Sequence, residues 1–339
     1  MRELFSKTAY GKTPKESPPN LAPYTTFDYF STYRIQEALS RVQENGRFAL
    51  DFITRDLRNA GFLGCAGTGE TTGEPKNTLN NKSGFNWNFV QIIEGFEADG
   101  SSGWDRDPVA TAGIVSPLVS PTRDVLTIRR SFGNPVQVED HAASNPLGSA
   151  PITVAPGHGL QPADVVMVAG CTDAAIFQIT GITPNGANDD IAHAAGGGSP
   201  GNASQALEND YTKDAAIVEL MTSTYYVGTG VSGRPALFRK DSAAAAQELV
   251  EGVEDMQVLY GIDTNGDHTT PTRYVTANNV TDWGDVVSAE VRLLLQTLDD
   301  NLALQANQQY TFNGVPAVSP DRRLRRTFTN TISIRNRTL

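Results

Sequence analysis

The chain has 339 residues, of which 39% are hydrophobic and 19% charged, and it contains 31 glycines and 19 prolines. This composition is typical of a loop-rich β protein with an apolar core, which argues against a wholly disordered chain. The net charge is −11, which argues against nucleic acid as a partner because phosphate binding requires a basic face.

Residues 1–28 are rich in proline and polar residues, among them Pro14, Pro18, Pro19 and Pro23. No apolar run follows the basic residues of this segment, so it does not read as a signal peptide. No stretch of the chain is long and apolar enough for a transmembrane helix. We therefore interpret residues 1–28 as a flexible leader or added segment outside the fold.

The clearest helix signal lies within residues 29–62, where apolar or small residues recur at steps of three and four. Charged residues occupy the opposite face, and glycines at 61 and 64 end the pattern. This spacing predicts an amphipathic helix whose apolar stripe is buried along the C-terminal half, while the N-terminal half could project toward other subunits. The stripe consists of Ile35, Leu39, Val42, Gly46, Ala49, Ile53, Leu57 and Ala60.

Residues 63–339 read as short β-rich runs separated by glycine, proline, asparagine and aspartate. The runs include residues 124–129, 165–168, 175–179, 216–227, 235–238, 256–260, 288–298 and 328–334. Residues 185–205 are predicted to form a surface loop. The layout predicts an α+β fold, with a long N-terminal α-helix packed on an antiparallel β-rich head.

Few residues carry a pattern for chemistry. Gly228, Gly230 and Gly233 match GxGxxG, but a proline and a strand follow where a dinucleotide site needs a helix, so we predict a hairpin turn. No nucleophile–base pattern is present, and we expect a protein that is not an enzyme. The two cysteines, Cys65 and Cys171, lack the partners of a zinc site and form either a disulfide or two buried thiols.

One loop has oxygen-bearing side chains at alternate positions: Asp263, Asn265, Asp267 and Thr269. Calcium requires six to eight oxygen ligands, and this spacing supplies several. The loop is nevertheless a defective EF-hand that lies between strands. The two interpretations are a calcium site, with Ca²⁺ as cofactor, and a plain Asp/Asn/Gly-rich hairpin loop.

The chain ends in four arginines, at positions 322, 323, 325 and 326, and a strand in which apolar residues alternate with threonine and serine. On so acidic a chain, we expect these arginines to pair with its own carboxylates.

Four ordered blocks together resemble PilW-type minor pilins of type IV pilus assembly. The first consists of residues 33–50 and 56–61 with Cys65, and the others are residues 248–263, 291–295 and 322–337. The resemblance covers about residues 30–339. It implies a periplasmic protein with an N-terminal helix and a β-rich head at 63–339. Such a protein joins other minor pilins and the major pilin in a complex that primes the pilus or lies at its tip. An oxidising periplasm favours the Cys65–Cys171 disulfide.

The resemblance also implies a membrane anchor, formed by a short basic leader and an apolar helix. Residues 1–28 stand in that place, so no residue here can be assigned to a processing site, and we expect the chain as given to lack its anchor. The exposed half of the helix is expected to pack against neighbouring pilin helices through Ile35, Leu39 and Val42.

Two other functions remain open. A J-type minor pseudopilin of type II secretion resembles the same family. A calcium-dependent adhesin or carbohydrate-binding β module would explain the strands and the loop at Asp263, although it would not explain the long helix.

Overall fold

The computed structural model describes residues 24–62, 74–99, 103–114, 122–242, 244–267, 269–303 and 306–337, with side chains from Thr32 onward. Helix α1 spans Tyr24–Arg58, and a short helix α2 spans Pro108–Ala112. Two 3₁₀ turns lie at Ala277–Asn279 and Trp283–Asp285. The predicted helix is therefore present, although it begins before residue 29.

The first eight strands are β1 (Lys76–Asn77), β2 (Ile93–Phe96), β3 (Val125–His141), β4 (Ile152–Val154), β5 (Val165–Ala169), β6 (Ala174–Gln178), β7 (Gly181–Asn185) and β8 (Asn188–Ala192). The others are β9 (Ala216–Thr229), β10 (Pro235–Asp241), β11 (Gln247–Glu251), β12 (Val253–Ile262), β13 (Arg273–Val275), β14 (Val286–Gln296), β15 (Gln309–Phe312), β16 (Val315–Val318) and β17 (Arg325–Ser333).

Eleven of these strands form one large sheet, in the order β1-β6-β5-β9-β3-β4-β8-β7, with β10 and β11 branching from β9 and with β2 on β3. A second sheet has four strands in the order β13-β12-β14-β17, and β15 and β16 form a separate hairpin. The long antiparallel strands β3 and β9 run through the large sheet and join its two ends.

Among the described residues, the two largest of four hydrophobic cores lie along these long strands. The main core encloses the inward face of α1, including Ala49, Ile53 and Leu57, between the four-stranded sheet and residues of β3, β9 and β10. The second core lies among β4, β5, β6 and β8 and is built around Ile152, Val166 and Phe177. The α1 helix contributes no residue to the second core among those described.

The predicted α+β class is wrong. Strands account for 42% of the chain and helices for 14%, and the fold is a curled multi-strand sheet with a single long helix, not a long helix packed on a β head. The 3.6-residue period is the strongest local signal in the sequence, but it describes only one element. Pairing between strands far apart in the chain decides the architecture, and no local pattern carries it.

The prediction of a surface loop at 185–205 is also wrong in part. Strand β8 occupies Asn188–Ala192, and the segment after it is buried at His193 and Asn202. Asn202 holds this segment on β6, because its side chain accepts a hydrogen bond from the backbone N–H of Gln178 and donates one to the Gln178 carbonyl. The segment is rich in glycine, alanine and asparagine, and this composition does not predict the packing.

Two other predictions are confirmed. Residues of the GxGxxG pattern lie in the hairpin between β9 and β10, where Gly230 and Arg234 close the turn. Two of the four C-terminal arginines pair with the chain's own carboxylates, as predicted: Arg325 contacts Glu254 and Asp321, and Arg323 contacts Asp321.

Candidate docking site

The C-terminal half of α1 is fixed by a buried charged network around Asp56. Its carboxylate is 1% exposed; Oδ1 lies 2.9 Å from Nε of Arg130 on β3, and Oδ2 accepts a 2.6 Å hydrogen bond from the Tyr225 hydroxyl on β9. Arg239 on β10 lies 4.0 Å from the same carboxylate and 2.9 Å from Asp241. One helical side chain thereby holds three strands of the large sheet.

Two side chains of this network, those of Tyr225 and Arg239, have raised pKa values. Burial and the neighbouring Asp56 carboxylate raise the pKa of the Tyr225 hydroxyl, so the phenol remains a proton donor at neutral pH. Burial acts to lower the pKa of Arg239, but the charge of Asp241 and contacts with Tyr225 and Asp56 outweigh it and raise the pKa. Both shifts stabilise the forms that pair with the carboxylates, the neutral Tyr225 phenol and the charged Arg239 guanidinium.

The same half of the helix lies very close to the four-stranded sheet at Gly46. A Cβ atom placed there would lie 2.5 Å from Cζ of Phe328 on β17, so only glycine allows this approach. Nearby, Asn45 donates a 3.1 Å hydrogen bond to the Glu251 carbonyl. Further along, Asn330 of β17 donates a 3.0 Å hydrogen bond to the Thr54 hydroxyl. These contacts fix both the position and the rotation of the helix.

The N-terminal half of α1 has a different surface. Tyr33 is 58% exposed. Glu37 and Arg41 are also exposed and form a salt bridge, with 2.6 Å between Arg41 Nη2 and Glu37 Oε1. The first α1 residue in the main core is Val42. At 1.5 Å per residue, the part of the helix before Val42 is about 27 Å long.

The three predicted partner-binding residues divide between these halves. Ile35 and Leu39 are half-buried and keep part of their surface accessible. Val42 is 4% exposed and packs in the main core, so its prediction as a partner-facing residue is wrong in this structure. All three share one stripe in the sequence, and only the position of the neighbouring sheet shows where burial begins.

A shallow groove of about 100 Å³ separates the N-terminal half of α1 from the segment that follows β14. Arg34, Ala38 and Val42 form its helical side, and Leu298 and Asp299 form the opposite side. Charged side chains of Arg34, Glu37, Arg41 and Asp299 also line the groove, whereas Ile35 and Leu39 do not, so the groove itself can contact both apolar and charged groups.

The predicted calcium loop connects β12 to β13, and its oxygen atoms contact donors within the loop. Asp263 Oδ1 accepts hydrogen bonds from the backbone N–H groups of Asn265 and Gly266. Asp267 Oδ1 accepts from both the backbone N–H and the hydroxyl of Thr269. Within the described residues, no three His, Cys, Asp or Glu side chains form a group able to hold a metal. This geometry is that of a hairpin turn, and calcium binding remains a prediction.

The predicted disulfide lies partly outside the described residues. Cys171 is exposed in the turn between β5 and β6, whereas Cys65 falls in the segment 63–73. The Cys65–Cys171 disulfide therefore remains a prediction. Residues 1–23 of the proposed leader also lie outside the described part of the chain.

Sequence reasoning missed the network that fixes the helix. Asp56 is a charged residue between Ile53 and Leu57 on the inward stripe, and a carboxylate on an apolar face is a signal that buried partners exist. Its partners Arg130, Tyr225 and Arg239 come from three different strands. The sequence could therefore indicate that Asp56 has buried partners, but not which residues they are.

Residues 224–336 match a family model for a pilus assembly protein, which links the chain to type IV pilus assembly. The family is that of the type IV pilus-assembly protein W, and the match confirms the PilW-type resemblance over that region. No curated protein and no solved structure gives a significant match. The matched region contains β10–β17 and the end of β9, and so includes the four-stranded sheet that packs against α1.

The match covers about a third of the chain, and it supports an envelope location and protein partners within the pilus system. Among the helices that the structure describes, none has both the length and the apolar composition needed to cross a bilayer.

Proposed function

We propose that this protein is a minor pilin, a structural subunit of the complex that primes a type IV pilus or lies at its tip. It acts by docking to other minor pilins and to the major pilin, and it catalyses no reaction. The family match supports a role in type IV pilus assembly, and the contrast between the two halves of α1 supports docking as the mode of action.

The observation that carries the proposal is the contrast along α1. Its C-terminal half is fixed by Asp56 and Gly46, while Tyr33, Ile35 and Leu39 remain accessible before the helix enters the core. A rigidly held helix presents an accessible surface without losing conformational entropy when a partner binds, which favours association.

The experiment replaces Leu39 with glutamate in the protein as the cell makes it. A buried, unpaired carboxylate at a helix–helix contact disfavours docking, so we expect few or no pili by electron microscopy. The matched control is Ser40→Glu, which adds the same charge to the exposed neighbouring position. Normal piliation with Leu39→Glu, or equal loss with both variants, would contradict the proposal.

A J-type pseudopilin of type II secretion would give a different result. In that case Leu39→Glu would abolish export of secreted enzymes and leave the pili intact. Measuring secretion and piliation in the same strains separates these two functions.

A further inference from the structure

A second accessible site lies beside the C-terminal end of α1, at the opposite end of the anchored half from the docking surface proposed above. It is an open cleft of about 570 Å³ between the helix and the strands β3, β9 and β10. Arg55 of α1 and two residues that follow the helix, Asn59 and Phe62, form one side of the cleft, and Arg239 and Asp241 line it from β10. The proposed docking through the N-terminal half of α1 does not use this cleft.

Apolar side chains form much of the cleft wall. Phe132 and Pro135 belong to β3, where a bulge after Phe132 interrupts its pairing with β9. Val218 and Met221 belong to β9, and Phe62, which is 37% exposed, completes the wall at the helix end. Such walls favour a ligand with an apolar body over a small hydrated ion.

Three arginines give this cleft a positive charge within an acidic chain. Arg55, Arg130 and Arg239 line it, and Asp241 is the one carboxylate among the lining residues. The Arg55 side chain is 67% exposed, whereas Arg130 and Arg239 are largely buried. The buried Asp56 carboxylate lies behind this lining, 2.9 Å from Arg130 and 4.0 Å from both Arg55 and Arg239. Three cationic groups therefore stand against two carboxylates, and the exposed Arg55 carries the surplus positive charge, although the whole chain has a net charge of −11.

The buried arginines also have more hydrogen-bond donors than the protein satisfies. Each guanidinium has five N–H donors. Arg239 pairs with Asp241 and lies 4.0 Å from Asp56, yet its Nε is buried without an acceptor among the described residues. Arg130 shares the Asp56 carboxylate and reaches the Ser223 hydroxyl only at 3.4 Å. The Arg130 and Arg239 side chains keep 9% and 16% of their surface exposed, so an anionic acceptor in the cleft would add charge-assisted hydrogen bonds at the accessible N–H groups.

We propose that this cleft binds an acidic peptide segment of a partner protein, in which a carboxylate side chain stands next to an apolar one. The carboxylate contacts Arg55 at the mouth and the guanidinium groups deeper in the cleft, and the apolar side chain lies against Phe62 and Met221. This site would be a second docking contact, independent of the surface around Leu39.

The test is isothermal titration calorimetry on the full chain with two blocked peptides, one of alternating glutamate and leucine and one of alternating glutamine and leucine. We expect only the glutamate peptide to bind. Arg55→Gln removes one charge-assisted contact and should weaken binding about tenfold. The matched control Arg58→Gln removes an exposed charge from the same helix outside the cleft and should change binding less than about twofold.

A second pair of variants tests the apolar wall. Phe62→Ser should weaken binding of the glutamate peptide, whereas Phe48→Ser, at a residue of α1 that is 44% exposed and lies outside the cleft, should not. The side chains replaced in these four variants, Phe48, Arg55, Arg58 and Phe62, are all exposed, so we expect each variant to keep the fold.

Three results would overturn the proposal. The first is equal binding, or no binding, of the two peptides at millimolar concentration. The second is an equal effect of Arg55→Gln and Arg58→Gln, which would indicate attraction to the general charge of the helix. The third is full displacement of the peptide by millimolar inorganic phosphate, which would indicate a site for small anions.

Discussion

The two halves of α1 belong to one continuous helix and have the same amphipathic period, but their surroundings differ. From Val42 to Leu57 the inward stripe packs between two sheets, and Asp56 forms ion pairs within the large sheet. Before Val42, Tyr33 is exposed and Ile35 and Leu39 are only half-buried. Periodicity therefore indicates which face of a helix is apolar, while the neighbouring strands decide which part of that face is buried.

The largest expected effect comes from removing the charge that fixes the anchored half. Asp56→Ala leaves Arg130 buried without its carboxylate partner, and such a loss costs about 3–5 kcal/mol of the free energy of unfolding. Urea unfolding of the full chain measures it.

The control for that variant is Asp51→Ala on the exposed face of the same helix, which should change stability by less than about 0.5 kcal/mol. Similar losses for the two variants would remove the distinction between the buried and exposed faces.

An intermediate effect is expected at the close contact between helix and sheet. Alanine in place of an exposed helical glycine stabilises a helix by about 1 kcal/mol. Gly46→Ala should instead destabilise by about 1–3 kcal/mol, because its Cβ would overlap the Phe328 ring. The sign of the change in melting temperature gives the answer, with Ser40→Ala in the accessible half as the control that should be neutral or slightly stabilising.

The smallest expected effect concerns a single hydrogen bond. Asn45→Ala removes the donor to the Glu251 carbonyl and should lower the free energy of unfolding by about 1 kcal/mol. The matched control is Gln43→Ala, at an exposed position two residues before Asn45. A larger loss of stability from Gln43→Ala than from Asn45→Ala would contradict the orientation of α1 against the sheet.

Local patterns predicted the elements whose cause is local. The helix, the hairpin at Gly230 and the alternation of β17 each depend on neighbouring residues, and all three are present. The C-terminal arginines were also expected to pair within the chain, because an acidic chain offers many carboxylates, and Arg325 does so.

The fold class and the limits of the docking surface could not be predicted in this way. The second core depends on pairing of β4 with β8 and of β5 with β9, which brings together residues far apart in the sequence. The burial of Val42 and the partners of Asp56 depend on the same long-range pairing. A single sequence contains the apolar stripe but not the sheets that cover part of it.

The central claim is that the accessible half of α1 acts in assembly while the anchored half acts in folding. The most direct measurement compares piliation with thermal stability for one variant, Leu39→Glu. The account predicts that pili are lost and that the melting temperature of the purified full chain stays within a few degrees of the parent protein. Normal pili, or a loss of pili that accompanies an unfolded protein, would contradict it.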